Sequence, residues 1–371
     1  MCPLFGGKVN CASCHEMHAS DHKALLLSDD EEELCISCHK DQLKLDREYV
    51  HDPVDLGMCT ICHSPHAAEQ EKLLTEDKMD LCLSCHEELS LGLDNAENVH
   101  LPADEDCGLC HEIHASDHPS QLLDAAPQLC FECHDDIQTK TELSIGHTAV
   151  TSKAGCLNCH TAHHSPHAAM LNGRQSEICL TCHKDALPGK NKKTIASMDD
   201  WLHLEFQHGP IQEGNCSSCH DLHGTDVNSI LRASYTERFY SSWDPLNFAL
   251  CFRCHEVSAF LDQRSETLTE FRNGDLNLHF SHVNREHKGR TCRACHETRA
   301  SASPHHLAES VPFGAWRMPL EYEHLKNGGF CSPGCHSPRE YNRVDPVKYE
   351  DKKTVKDEDK KKILPPAEDG E

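Results

Sequence analysis

The feature that most constrains this chain is a five-residue pattern: cysteine, two variable residues, cysteine, histidine. In Cys59-Thr60-Ile61-Cys62-His63-Ser64-Pro65-His66 a second histidine follows three residues on. The pattern occurs eleven times, and a twelfth time with one extra residue as Cys331-Ser332-Pro333-Gly334-Cys335-His336. Two thiols three apart can each add to one vinyl group of a porphyrin, and the imidazole that follows can ligate its iron, so this is the attachment sequence of a c-type haem. Zinc ribbons also pair cysteines at this spacing, but do not require histidine after every second cysteine. Pro333-Gly334 makes a turn that can absorb the additional residue, so the twelfth motif is read as a haem site too, rather than a zinc or disulfide pair.

The expected cofactor is therefore haem c, twelve per chain. Its thioether cysteines are Cys11 and Cys14, Cys35 and Cys38, Cys59 and Cys62, Cys82 and Cys85, Cys107 and Cys110, Cys130 and Cys133, Cys156 and Cys159, Cys179 and Cys182, Cys216 and Cys219, Cys251 and Cys254, Cys292 and Cys295, and Cys331 and Cys335. The motif histidines are His15, His39, His63, His86, His111, His134, His160, His183, His220, His255, His296 and His336.

The motifs form a repeat. Successive first cysteines are 23 to 26 residues apart up to Cys179, and 35 to 41 apart beyond it. Odd motifs mostly follow a polar or small residue, even ones a large apolar residue such as Leu34, Leu81, Leu129 or Ile178. The repeating unit is thus two haems, near 48 residues long early in the chain. A short helix is expected to carry each even motif, opening in the first unit on a Ser28–Glu31 capping box.

Iron needs a second axial ligand on its opposite face. Five odd motifs carry a histidine three beyond the motif histidine: His18, His66, His114, His163 and His223. Residues three apart on a helix share a face, so a +3 histidine is expected to reach a neighbouring haem and clamp it close. Upstream histidines, His51, His100, His147 and His208, and in the last unit His282 or His287, supply the remaining set. Two places break the pattern. No histidine precedes Cys11, where His22 is a substitute, and Arg299 holds the +3 position of the eleventh motif, where His305 or His306 could take over. A five-coordinate haem at either place would be a candidate reactive site. The other histidines, among them His118, His164, His167, His203, His279 and His324, are taken as hydrogen-bonding or surface residues; His22, His118 and His167 share a +7 spacing.

Composition bears on the fold. The chain has 371 residues, 37% hydrophobic and 5% aromatic, little core material for its length. Twelve porphyrins would supply the missing apolar surface, and the thioethers would restrict the unfolded chain as disulfides do. The expected fold is irregular and helical around haems, with short helices, long loops and little or no β. Residues 1–190 form regular two-haem repeats with eight haems, 191–345 a looser four-haem region, and 346–371 a charged tail expected to be disordered. All three tryptophans and nine of eleven phenylalanines lie beyond residue 190, so the later region brings packing of its own. Asn191-Lys192-Lys193 reads as a hinge or a solvated basic turn.

Net charge is -26, which speaks against nucleic acid as a partner; it either suits basic redox proteins or positively charged surfaces or serves to keep a haem-packed chain in solution. No apolar run is long enough to cross a membrane. Haem attachment of this kind implies export, although no signal peptide is visible. Cys2, outside every pair, is either a lipidated residue or an incidental thiol.

The alternating pairs, such as Cys59–His66 with Cys82–His86, resemble the doubled CXXCH family of multihaem cytochromes over residues 11 to 260. The later segment, Phe271-Arg272-Asn273-Gly274-Asp275 through His282-Val283-Asn284-Arg285 to Gly328–His336, is similar to the C-terminal part of larger members. A more distant member is the decahaem periplasmic component of porin–cytochrome conduits. The resemblance implies periplasmic or outer-membrane electron transfer in a respiring bacterium, with an outer-membrane porin and outer-surface cytochrome as partners, and no enzymatic role. Two other functions compete: a multihaem oxyanion reductase, and a subunit of an extracellular cytochrome filament.

Overall fold

The structure, a computed structural model, describes residues 9–189 and 194–349. Cys2, the Asn191-Lys192-Lys193 segment read as a hinge or a turn, and all but the first residues of the charged tail lie outside the described residues. Two compact units divide the chain. One comprises the repeats up to His203 together with Gly209–Ala233; the other comprises Leu204–His208 with everything from Ser234 onward. The ninth motif therefore belongs with the first eight.

In the first unit every odd motif opens a 3-10 turn, as in Cys11–Ser13, Cys59–Ile61, Cys107–Leu109 and Cys216–Ser218. Even motifs lie on helices: Glu31–Leu43 spans Cys35 to His39, and Gln175–His183 spans Cys179 to His183. Helices Lys78–Leu83 and Gln128–Phe131 hold Cys82 and Cys130, and a further helix starts directly after each motif histidine. The cap of Glu31–Leu43 is Asp30 rather than Ser28. Its carboxylate accepts from the Glu33 amide at 3.2 Å, an anion being the better cap beside exposed N–H groups. Ser28 instead accepts from the Asp30 amide and donates to Glu33.

Ladders of two residues tie the repeats together. Tyr49–Val50 pairs antiparallel with Ala115–Ser116, Asn98–Val99 with His164–Ser165, and Ile145–Gly146 with Gly224–Thr225. Each joins the entry to one odd motif with the exit from the next. The buried residues of this unit are small: Ala115, Ser116, Ser165 and Thr225.

The second unit continues the ladder, Phe206–Gln207 pairing with Ala300–Ser301, which is why Leu204–His208 belongs to it. It also departs from the expectation of little or no β. Ser310–Phe313 and Trp316–Pro319 form a hairpin, and Tyr322–Leu325, Gly328–Cys331 and Arg339–Asn342 a three-stranded antiparallel sheet. Here the even-motif helices fail: Cys251 opens a 3-10 turn and Cys331 ends a strand. The hairpin encloses a side-chain core of Ala308, Val311, Met318 and Leu320, against which Phe239, Phe313, Cys295 and Cys335 pack.

Candidate functional site

Each odd motif builds the same device. The motif histidine donates from Nδ1 to the backbone carbonyl nine residues on: His15 to Ala24, His63 to Lys72, His111 to Ser120, His160 to Ala169, His220 to Ser229 and His296 to His305, all at 2.8–3.0 Å. That carbonyl belongs to the first of two consecutive residues with left-handed backbone, for example Lys72 (φ 55°) and Leu73 (φ 60°). The leucine eleven beyond the histidine bridges back to it, as in His63 with Leu74 and His111 with Leu122. A hydroxyl five beyond the histidine closes the loop: Ser20, Ser116, Ser165, Thr225 and Ser301 each donate to that leucine's carbonyl. With Nδ1 committed, Nε2 is the nitrogen left for a metal, the arrangement that orients ligating imidazoles generally.

The +7 histidines have a backbone role in this loop. The amides of His22, His118 and His167 donate to the hydroxyls of Ser20, Ser116 and Ser165 at 2.9–3.0 Å. The His22 Nδ1 is engaged by Asp29 at 3.0 Å, while the ring that faces His15 is that of His66.

The histidines meet in two interlocking series. In one, an odd-motif histidine faces the +3 histidine of the following unit: His15 with His66, His63 with His114, His111 with His163 and His160 with His223, ring centres 6.0–6.2 Å apart. In the other, an upstream histidine faces the even-motif histidine of its own unit: His51 with His86, His100 with His134, His147 with His183 and His208 with His255, at 6.0–6.2 Å and within 17° of parallel. In the last unit His282 faces His336 at 6.4 Å, whereas His287 is exposed beside Glu286. Two metal–nitrogen bonds of roughly 2 Å plus ring-centre offsets of about 1 Å on each side span about 6 Å, so one iron fits each gap. Burial pushes the pKa of His51, His114, His147, His163, His208, His223 and His282 down, and in each case a facing histidine adds to it. Both effects favour the neutral imidazole that binds metal. Among the described residues no three His, Cys, Asp or Glu side chains converge on one metal position.

Three sites differ from the sequence reading. Arg299 does not occupy a ligand position of the eleventh motif. Its carbonyl accepts from the His208 amide at 2.9 Å, as those of His114 and His163 accept from His51 and His100. It therefore stands in the register that serves the preceding unit. His305 and His306 lie on the motif side of His296, the His305 carbonyl holding its Nδ1. Among the histidines near His296 is His279, one of those read as hydrogen-bonding or surface residues. It shares the helix Leu278–Val283 with His282. Its Nδ1 is 2.8 Å from Thr269 Oγ1, and burial, then His296 and His282, push its pKa down to about 4. The spacing 279/282, three apart on one helix face, was the available signal. Third, His18 and His39 have no facing histidine ring among the described residues, although His15 does.

The cysteines place the sites in sequence order. The first cysteine of each even motif lies beside the first cysteine of the next odd motif: Cys35 by Cys59, Cys82 by Cys107, Cys130 by Cys156, Cys179 by Cys216 and, in the second unit, Cys251 by Cys292. Second cysteines interact across the alternate junctions, Cys62 with Cys85, Cys110 with Cys133 and Cys159 with Cys182. Burial, then Cys59, pushes the Cys35 thiol up to about 12, a value that thioether formation makes moot. Two buried polar atoms lack a partner among the described residues, Tyr235 Oη and His306 Nδ1. Tyr235 lies near Cys251 and Cys292, and His306 meets His208 edge-on at 5.5 Å. Orphans beside attachment cysteines and a paired histidine fit an environment completed by porphyrin.

The family model for the doubled CXXCH motif matches residues 3–44, 51–91, 100–139, 147–187 and 208–260, more than half of the chain. The chain belongs to this family of multihaem c-type cytochromes. Four of the five matches begin on an upstream histidine, His51, His100, His147 or His208, so the family's unit is the unit that pairs His51 with His86. The eleventh and twelfth motifs lie beyond the matches. No curated protein matches the chain. No helix among the described residues is long and apolar enough to cross a membrane.

Proposed function

We propose that this multihaem cytochrome is an electron conduit of twelve haems, relaying electrons through histidine-paired irons between the periplasm and acceptors at or beyond the outer membrane. The observation that carries it is the unbroken run of neighbouring attachment cysteines from Cys35 to Cys216. Adjacent porphyrins anchored there would lie close, and electron exchange falls steeply with distance. Haem iron supplies reversible one-electron chemistry. The chain's own residues would do the rest: thiols would grip the vinyl edges, carbonyls such as those of Lys72 and Ser120 orient the motif imidazoles, and facing histidines would hold the iron from the other side. The acidic surface would steer a basic redox partner, with an on-rate that falls as salt rises.

Substituting His163→Ala tests the reading. One of twelve haems, that of His111, should turn high-spin while the +7 control His167→Ala changes no spin state. Mass spectrometry should find twelve haems in both. A spectrum unchanged by His163→Ala, or a haem count well below twelve, would remove the basis of the proposal.

A further inference from the structure

Charge and packing are divided unevenly along the chain, and haem iron responds to both. Residues 1–233 carry 39 acidic against 15 basic side chains and hold nine motifs. Residues 234–349, in the main segment of the second unit, carry 14 of each and hold three. Eleven of the fourteen arginines lie in that later stretch. None of the first nine motifs has a basic residue between its cysteines, whereas Arg253 and Arg293 sit inside the tenth and eleventh. In the first unit His86 is followed directly by Glu87 and Glu88, and His134 by Asp135 and Asp136.

The arginines of the second unit stand close to its ligands. Arg290, on the strand Gly289–Arg290 that leads into the eleventh motif, lies 5.7 Å from the Tyr240 ring centre. It is near enough to act on both His282 and Cys295, and Arg285 also acts on His282. Arg293 lies 5.8 Å from the centre of the Tyr235 ring, which neighbours Cys251 and Cys292. Among the described residues the arginine ion pairs of this stretch are those of Arg264 and Arg343. Packing differs in the same sense. Thr291 and Ala294, before and after Cys292, are 1% and 2% exposed, whereas Ile61 and Leu109, at Ala294's place in the third and fifth motifs, are 43% and 52% exposed.

Oxidised haem iron carries one positive charge more than reduced iron. Acidic, solvated surroundings therefore favour the ferric form, while arginine beside a ligand and exclusion of water favour the ferrous form. We propose that reduction potentials rise from the first unit to the second, so that electrons delivered to the first nine haems gather on the last three and leave from there. This inference rests on the conduit reading and gives it a direction.

The test is a spectroelectrochemical titration of the haem-loaded full chain, with haems counted by mass spectrometry. Cys292→Ser with Cys295→Ser should remove one component from the most easily reduced part of the titration, and Cys107→Ser with Cys110→Ser one from the least easily reduced part. At one applied potential the two sites should differ by about tenfold or more in their ratio of reduced to oxidised iron, ~59 mV for one electron. Arg290→Gln with Arg293→Gln, which leaves every ligand and thioether in place, should lower that ratio at the eleventh haem by about threefold to tenfold. Equal or reversed components, or an arginine pair whose loss moves nothing, overturn the inference and leave the conduit standing. Fewer than twelve haems or mostly high-spin iron in the unmodified chain defeats the conduit reading itself.

Discussion

The two units of this molecule stabilise themselves by different means. Of ten well-buried apolar side chains among the described residues, nine lie in the second unit, among them Phe248, Val311, Met318 and Leu320; the first unit contributes only Ala115 of these. The first unit has instead the two-residue ladders, the hydroxyl-locked loops and the facing imidazoles, a frame around spaces. The second has the frame and, added to it, a hairpin, a sheet and a conventional hydrophobic cluster. Shorter spacing between motifs leaves no chain for a side-chain core, so packing there falls to the cofactor. Longer spacing releases the chain to pack on itself.

Removing haem should separate the units most sharply. Without porphyrin the first unit has little apolar burial to offset the entropy of ordering its backbone. Hydrogen exchange of haem-free protein should show protection lost throughout residues 11–203, and some protection surviving in Ser310–Phe313, Trp316–Pro319 and the sheet around Gly328–Cys331. Native-like protection in the early repeats would overturn the comparison.

Next in size is a cavity in the side-chain core. Met318 is 2% exposed, and its sulfur lies 3.4 Å from Cys335 Sγ. Met318→Ala should cost about 2–5 kcal/mol, read as a lowered unfolding midpoint of the second unit, with the haem bands of the first unit unmoved. An equal loss in both units would mean that they unfold as one.

These contrasts explain what the sequence made legible. Covalent and ligand chemistry is written in residue identity, so the attachment cysteines and most of the histidines that meet could be named in advance. The +9 carbonyl could not be, because a backbone group is donated equally well by Ala24, Lys72, Ser120, Ala169, Ser229 or His305. Only Leu74, Leu122 and their equivalents at +11 leave a trace, visible once the loops are superposed. Ladders of two residues are too short to show alternation. Gly314, with φ 61° between the apolar strands of the hairpin, was a turn signal of an ordinary kind, overshadowed by the motif on either side. The exchange of Arg299 from the eleventh motif to an earlier unit's register was hidden because series membership depends on which repeat reaches which.

A smaller effect probes the loop lock of the first unit. Ser165 donates to the Leu171 carbonyl and accepts from the His167 amide. In the second repeat the same position is Ala68, so the loop forms without the hydroxyl. Ser165→Ala should therefore cost only about 1 kcal/mol, leaving the spin state of the His160 haem unchanged but increasing hydrogen exchange at Leu171 and Asn172. Ser301→Ala, the same change in the second unit, should cost no more, because Ala300 and Ala308 are buried on either side of that loop. A much larger loss at Ser165 than at Ser301 would show that the early loops depend on polar closure where the later one leans on packing.

Smallest is the response to acid. In the first unit Lys78 pairs with Asp106, directly ahead of Cys107, and with the Gly108 amide holds that carboxyl below the usual range. In the second, Arg264 holds Asp275 low through two contacts of 2.6 and 2.8 Å. Both carboxyls have depressed pKa values in the folded state. Their contribution is therefore complete above the ordinary aspartate value, near 4, and is lost as pH falls below it. Because both pairs are solvent-exposed, each should matter little and fade with salt. The asymmetry between units decides how the loss is read. Lys78 joins an even-motif helix to the next odd motif, with no side-chain core behind it, so Lys78→Ala should weaken acid resistance in the early haems. Arg264→Ala should leave the second unit's hairpin protection intact at the same pH, since Val311 and Met318 do not titrate. Equal acid sensitivity in the two variants, measured as Soret change between pH 5 and pH 3, would show that both units depend on the same surface charges.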